Sequence, residues 1–354
     1  MSEVATEARY WHADKGRVIC TACPRECALG QGQHGFCYVR KNEGGRLVSL
    51  AYGRPNAVAV DPIEKKPLFH FLPGTKVLSL GTAGCNLGCR FCQNWDLSRA
   101  RSSHVQTMDL QPRAVAALAQ REGCASVAFT YNDPTVFVEY AADAAEACKV
   151  AGVATVAVTA GYIGEQARED LYRHMDAANI DLKGFTEDFY WRLSLGHLQP
   201  VLETIEWCVK KGVWVELTTL LIPGQNDKDD ELRAESRWIV EHLGPDVPLH
   251  FTAFHSAYKL EHLPPTPPET LRKARDIARA EGVRYVYTGN VVDPEGEQTR
   301  CHACGESLVE RAWFAVKKNA LVGTNKCPKC QAIIPGVFDA RSKASSPGTR
   351  TGLL

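Results

Sequence analysis

Between Val77 and Asn290 the chain alternates short apolar runs with longer stretches of helical period. The runs VLSLGT (77–82), SVAFTY (126–131), ATVAVTA (154–160), NIDLK (179–183), VWVELTTLLIP (213–223), LHFTAF (249–254) and VRYVYT (283–288) are apolar on both faces, as strands covered by helices must be. Between them the period predicts helices over Pro112 to Glu122, Pro134 to Val150, Glu165 to Met175, Pro200 to Lys211, Asp229 to His242 and Pro268 to Glu281. Several open on a proline in the first turn and stop at a glycine, such as Gly123, Gly152, Gly212 and Gly282. Repeated strand–helix units of this kind build an α/β domain around a parallel sheet. Periodicity alone leaves an open doubly wound sheet and a complete or partial barrel as alternatives, and both place ligands at the C-terminal ends of the strands.

This rhythm covers 76–295. Residues 1–75 form a cysteine-rich N-terminal module and leader ending at the turn Pro73-Gly74, 296–340 a ribbon-like module, and 341–354 a small, polar tail expected to be disordered. Forty-one basic residues balance 41 acidic ones. Nothing therefore points to a nucleic-acid arm or an anionic membrane surface. No apolar run approaches the length of a membrane span, and the expectation is a cytoplasmic protein. In that compartment 14 cysteines are better read as metal ligands or buried thiols than as disulfides.

The cysteines fall into three groups and three singletons. CNLGCRFC places Cys85, Cys89 and Cys92 directly after the first of these strands, at the mouth of the sheet. With 14 cysteines in the chain, a shuffled sequence gives this x3-then-x2 spacing about 0.02 times. Three thiolates on a [4Fe-4S] cluster leave one iron free for a small molecule. An amino acid can chelate that iron, which places the sulfonium of S-adenosylmethionine (SAM) within reach of one electron. The competing reading is a zinc site with a borrowed fourth ligand.

Cys301, Cys304, Cys327 and Cys330 have the paired x2 spacing of a zinc ribbon, with an additional iron–sulfur cluster as the alternative. Cys20, Cys23, Cys27 and Cys37 match neither a standard zinc finger nor a bacterial ferredoxin spacing, and leave zinc and a second cluster equally open. GQGQHG (30–35) fits the dinucleotide fingerprint formally but follows no strand and opens no helix, so it reads as a turn. Cys124, Cys148 and Cys208 read as buried free thiols. Glu64, Lys65 and Lys66 read as a solvated charge run.

CNLGCRFC, with Phe91 before its last cysteine, is similar to the signature loop of the radical SAM superfamily. Together with the leader DPIEKKPLFHFLPG, it resembles the radical SAM component of the AmmeMemoRadiSam system, a relative of pyruvate formate-lyase activating enzymes. The resemblance spans roughly residues 10 to 338. It implies a partial (β/α)6 radical SAM barrel, flanked by the N-terminal Cys-rich module and the C-terminal zinc-ribbon-like module. It also implies SAM contacts from Tyr131, Asn132 and Asp133, where relatives more usually carry Glu at the last position. Further contacts are implied from Thr159 and Gly161, with Ala160 replacing a usual Asn, from Asp181 and Lys183, and from His255. The bland roles are a helix cap for Asp133, an ordinary ion pair for Asp181 and Lys183, and a structural histidine at 255. The implied cofactors are a [4Fe-4S] cluster, SAM and zinc. The implied partners are an electron donor such as a flavodoxin or ferredoxin and the other components of the system; neither a membrane nor nucleic acid is expected.

Two function classes follow. One is an enzyme that cleaves SAM reductively and uses a 5′-deoxyadenosyl radical to abstract hydrogen from a substrate such as a protein, with RNA or a metabolite as other substrate classes. The other is a non-catalytic iron–sulfur and zinc metalloprotein serving electron transfer or as a scaffold. A relay cluster normally has complete protein ligation, so three cysteines without a fourth favour the enzyme.

Overall fold

The structure, a computed structural model, describes residues 5–101 and 105–342. Its centre is an eight-stranded sheet whose strands follow one another in chain order. They are β1 (Ala57–Pro62), β2 (Lys76–Gly81), β3 (Ser126–Phe129), β4 (Ala154–Thr159), β5 (Ala177–Asp181), β6 (Trp214–Leu221), β7 (Leu249–Ala253) and β8 (Val286–Gly289). β1 runs antiparallel to β2, and every later neighbour pair is parallel. The order never reverses, so the sheet has no switch point of the doubly wound kind. With crossovers of one hand, such an order puts the helices on one face and turns the other face inward.

The longer helices among the described residues are α1 (Pro112–Arg121), α2 (Val138–Val150), α3 (Glu165–Tyr172), α4 (Gln199–Lys210), α5 (Asp229–His242) and α6 (Pro268–Ala280). Each buries an apolar stripe against the strands, as Leu271, Ala274, Ile277 and Ala278 do in α6. Two departures from the periodic reading matter. The sheet begins at Ala57, inside the stretch assigned to the N-terminal module, because the alternation AVAV pairs with β2. The helix expected from Pro134 opens as a 3-10 turn, Pro134–Phe137, before α2.

The N-terminal module consists of two three-stranded sheets, Thr6–Glu7 with Arg46–Ser49 and Arg40–Glu43, and Trp11–Asp14 with Arg17–Cys20 and Ala28–Leu29. It docks on α2 through Arg40–Glu139, a pair 2.5 Å apart and almost fully buried. GQGQHG lies outside helix and strand. The C-terminal module is a three-stranded ribbon of Thr299–Arg300, Ser307–Ala312 and Ala315–Asn319. It packs Leu308, Val309 and Val316 against Phe69, Tyr285 and Tyr287. Of the tail expected to be disordered, all but 341 and 342 lies outside the described residues. No helix among the described residues is long and apolar enough to cross a membrane. Cys124, Cys148 and Cys208 are buried.

Candidate active site

The inward residues of the sheet converge on one cavity of about 550 Å3. At its mouth stands the loop after β2, whose Cys85, Cys89 and Cys92 all line the cavity. Asn132 spends its side chain on that loop. Its Oδ1 accepts from Thr82 N at 3.1 Å, and its Nδ2 donates to Thr82 Oγ1 at 3.1 Å and to the Gly84 carbonyl at 2.6 Å. On the other side, Gly88 N and Arg90 N donate to the Ser194 and Leu193 carbonyls at 3.0 and 2.8 Å. Phe91 is buried against Phe189. Within the loop, Cys92 Sγ lies 3.3 Å from Ser98 Oγ. Burial pushes the Cys89 thiol up to about 11, with Lys183 opposing the shift.

The other residues expected from the sequence take distinct positions. Tyr131, Asn132, Asp133, Thr159, Asp181 and Lys183 all line the cavity. Asp133 caps the 3-10 turn by accepting from Thr135 N at 2.9 Å. Its second oxygen accepts from Thr159 Oγ1 at 2.9 Å and Ala160 N at 2.8 Å, so the carboxylate joins the ends of β3 and β4. Gly161 supports this corner, with φ at +67° and its N–H donating to Thr159 Oγ1 at 3.0 Å. Lys183 Nζ is 2.8 Å from Asp181 Oδ2. Burial disfavours the Lys183 ammonium, but Asp181 and Cys89 outweigh it and raise its pKa above the ordinary value. His255 is exposed beyond β7 and does not line the cavity.

The charge run Glu64, Lys65 and Lys66 requires a correction. Glu64 and Lys66 are buried, at 1% and 3% exposure. Asp61 is the reason: Lys66 Nζ and Lys65 Nζ approach its two oxygens at 2.8 and 2.9 Å, and Ser79 and Tyr131 donate to it as well. Burial alone would raise the Asp61 pKa, yet these partners bring it down to about 2. Glu64 instead faces Gly74 N at 2.8 Å and Arg311 of the ribbon. The sequence carried one signal for this: the pair of lysines follows an acidic residue that ends an apolar alternation.

Deeper in the cavity the sequence reading named nothing. Thr218, His250, Thr252 and Thr288 line it from β6, β7 and β8. His250 Nε2 sits 2.8 Å from Glu216, which also accepts from Phe69 N at 2.9 Å and His70 N at 2.7 Å. These last two bonds stopper the cavity floor with the segment around Phe69, near the N-terminal ends of β6 and β7. Only a polar residue at alternate positions of otherwise apolar runs marked these sites.

Away from the cavity, the Sγ atoms of Cys301, Cys304, Cys327 and Cys330 all lie within 4.8 Å of one another, close enough to hold a metal ion. The Cys327 thiol is lowered to about 7, because amides of Cys330 and Lys329 outweigh burial.

A model of the radical SAM superfamily matches residues 79–235. An uncharacterized protein of Methanocaldococcus jannaschii is 42% identical over 91% of this chain and 96% of its own length. The pyruvate formate-lyase 1-activating enzyme of Escherichia coli K12 is 21% identical over 61% of this chain and 93% of that protein. Among solved structures, a domain of a pyruvate-formate lyase-activating enzyme from Bacteroides vulgatus aligns with a TM-score of 0.42 at 15% identity, covering 47% of this chain and 99% of that one. The matched stretch begins in β2 and takes in the cysteine loop and the cavity walls as far as α5. Residues 79–235 form a radical SAM domain, and the chain is an enzyme of the radical SAM type.

Proposed function

We propose that the chain holds a [4Fe-4S] cluster on Cys85, Cys89 and Cys92, binds SAM in the cavity beside it, and abstracts hydrogen from a protein substrate. One observation carries the reading: the three cysteines of a single loop face the cavity, and no fourth cysteine lines it among the described residues. That donor set fits a cluster with one open iron. When bound, such a cluster supplies one electron to cleave SAM and yield a 5′-deoxyadenosyl radical.

The chain's own residues orient and enclose. Asn132 fixes the loop, while Lys183, held charged by Asp181, supplies a cation for the carboxylate of the amino acid moiety. Asp133 acts through Thr159 and Ala160 by fixing the strand ends, and Lys66 adds a second buried cation to the cavity lining. The one-way strand order supports a partial (β/α)6 barrel. In the ribbon, sulfur separations of 3.6 and 3.7 Å (Cys301–Cys330 and Cys304–Cys327) match the roughly 3.8 Å edge of a tetrahedron with metal–sulfur bonds of about 2.3 Å, which supports a structural zinc. The leader's resemblance supports membership of the AmmeMemoRadiSam system, with its other components as partners and a flavodoxin or ferredoxin as reductant.

The test is anaerobic reconstitution, addition of SAM and a reductant, and quantification of 5′-deoxyadenosine. An intact cluster that forms none refutes the reading. Cys89→Ala should lose the central iron and retain the ribbon's metal.

A further inference from the structure

The fold gathers Cys20, Cys23, Cys27 and Cys37 around one small enclosed cavity that Arg40 and Asn86 also line. They come from the hairpin ending at Cys20 and the turns that follow. An added Cβ on Gly35 would lie 3.7 Å from Cys37 Sγ and 3.8 Å from Cys27 Sγ, so both sulfurs face the same point. Single-ion geometry is not what these thiols present. Among the described residues, only the ribbon cysteines bring three or more ligand atoms within 4.8 Å of one another. No three of the N-terminal four come that close together, and a polynuclear centre takes such a wider spread.

Charge points the same way. The Arg40 side chain is 2% exposed and gives Nη2 to Glu139, while its Nε and Nη1 are buried without a partner among the described residues. Two unused cationic N–H groups beside four thiolates suit an anionic iron–sulfur core, whose sulfurs accept hydrogen bonds. The site also abuts the central loop. Gly84 is in the left-handed region, and a Cβ there would stand 2.0 Å from the Cys37 carbonyl oxygen. Arg25 donates from this module to the carbonyl of Asn86, the residue after Cys85.

The geometry points to a second iron–sulfur cluster, fully ligated by Cys20, Cys23, Cys27 and Cys37 and placed to pass electrons to the Cys85 loop. The site stands independently of the central assignment; its relay role rests on the radical SAM reading. One electron passes from a reduced carrier of the flavodoxin or ferredoxin class to this cluster and then to the central one. No bond is made or broken, and the carrier ends oxidised.

The full chain carrying Cys85→Ala, Cys89→Ala and Cys92→Ala together, reconstituted anaerobically, should keep about four irons, on the order of half the total of two clusters. Its reduced electron paramagnetic resonance signal should not change when SAM is added. Loss of all iron in this variant, or a second zinc per chain, overturns the site whether or not the wild-type protein cleaves SAM. Retention of those irons in a chain whose wild type makes no 5′-deoxyadenosine leaves the site standing and removes the central reading instead. In Cys23→Ala/Cys37→Ala, the SAM-sensitive signal should remain reducible by dithionite and lose its reduction by flavodoxin. Unchanged reduction by flavodoxin overturns the relay. Should that double variant not fold, the triple variant still decides the site.

Discussion

Asn132 illustrates how a single amide can organise a cofactor loop. Its bonds hold Thr82, Ala83 and Gly84 from a strand end some fifty positions away in sequence. Asn132→Ala should leave those groups unpaired at a cost of about 1–3 kcal/mol each, read as a lower denaturation midpoint together with reduced iron retention. A normal iron content in a destabilised variant would show that the loop does not need the tie. Arg40 gives a second residue-scale expectation. Arg40→Met strands the Glu139 carboxylate, itself 1% exposed, and should destabilise the fold by about 3–5 kcal/mol in denaturant titration. The family resemblance named Asn132 as a SAM contact; the structure shows its amide bonded to the loop while the residue also lines the cavity. For Asp133 the cap was legible, because Asp before Pro signals it, and its place at a strand end set it beside the cavity. Lys66 was read as solvated, since its burial depends on Asp61, five positions earlier, being itself buried where β1 pairs with β2.

At the level of elements, α5 meets β6 through a buried carboxyl. Burial pushes the Glu235 pKa up to about 8, with Thr219, which donates to it, pulling the other way. The folded value therefore lies above the ordinary 4.5. The stability contributed by the bound proton is complete below that ordinary value and lost as pH rises to about 8. Each pK unit is about 1.4 kcal/mol, so the decline amounts to a few kcal/mol. Glu235→Gln keeps the acceptor for Thr219 and should flatten stability between pH 5 and 8, measured by urea midpoints. An unflattened profile would assign the pH dependence elsewhere. The central strands and six helices were legible, with ends shifted by a few residues, because each carries its own period and stop signal. β1 escaped because its partner, not its position in the βα rhythm, makes it a strand.

For the whole molecule, the ribbon is more than an appendage. His70 Nδ1 lies 2.7 Å from the Pro335 carbonyl and its Nε2 2.6 Å from Tyr287 OH, while Arg311 Nη2 donates to the Phe69 carbonyl at 2.7 Å. Cys330→Ala should release the ribbon's metal and lower the thermal midpoint of the chain. The change should expose Tyr285 and Tyr287 to solvent while leaving the central iron count unchanged. Metal analysis alongside tyrosine fluorescence checks this, and an unaltered midpoint would mean that the ribbon folds without its ion. The spacing made the four-cysteine group plain; that the module backs the cavity floor depends on Phe69 and His70 lying between Glu216 and Pro335, a contact the sequence does not signal.

That floor has a consequence for traffic. A cavity of about 550 Å3 lies within the range that a single drug-sized ligand largely fills, and the stopper at Phe69 closes its far end. Under the proposed function, SAM is seated before a protein substrate caps the mouth, and its fragments wait for that cap to lift. Rapid-quench time courses with a docked protein should show one fast turnover followed by slow release. Under the proposed function, a cavity closed at its floor admits a projecting loop or chain end of the substrate, and turnovers are counted in docking events.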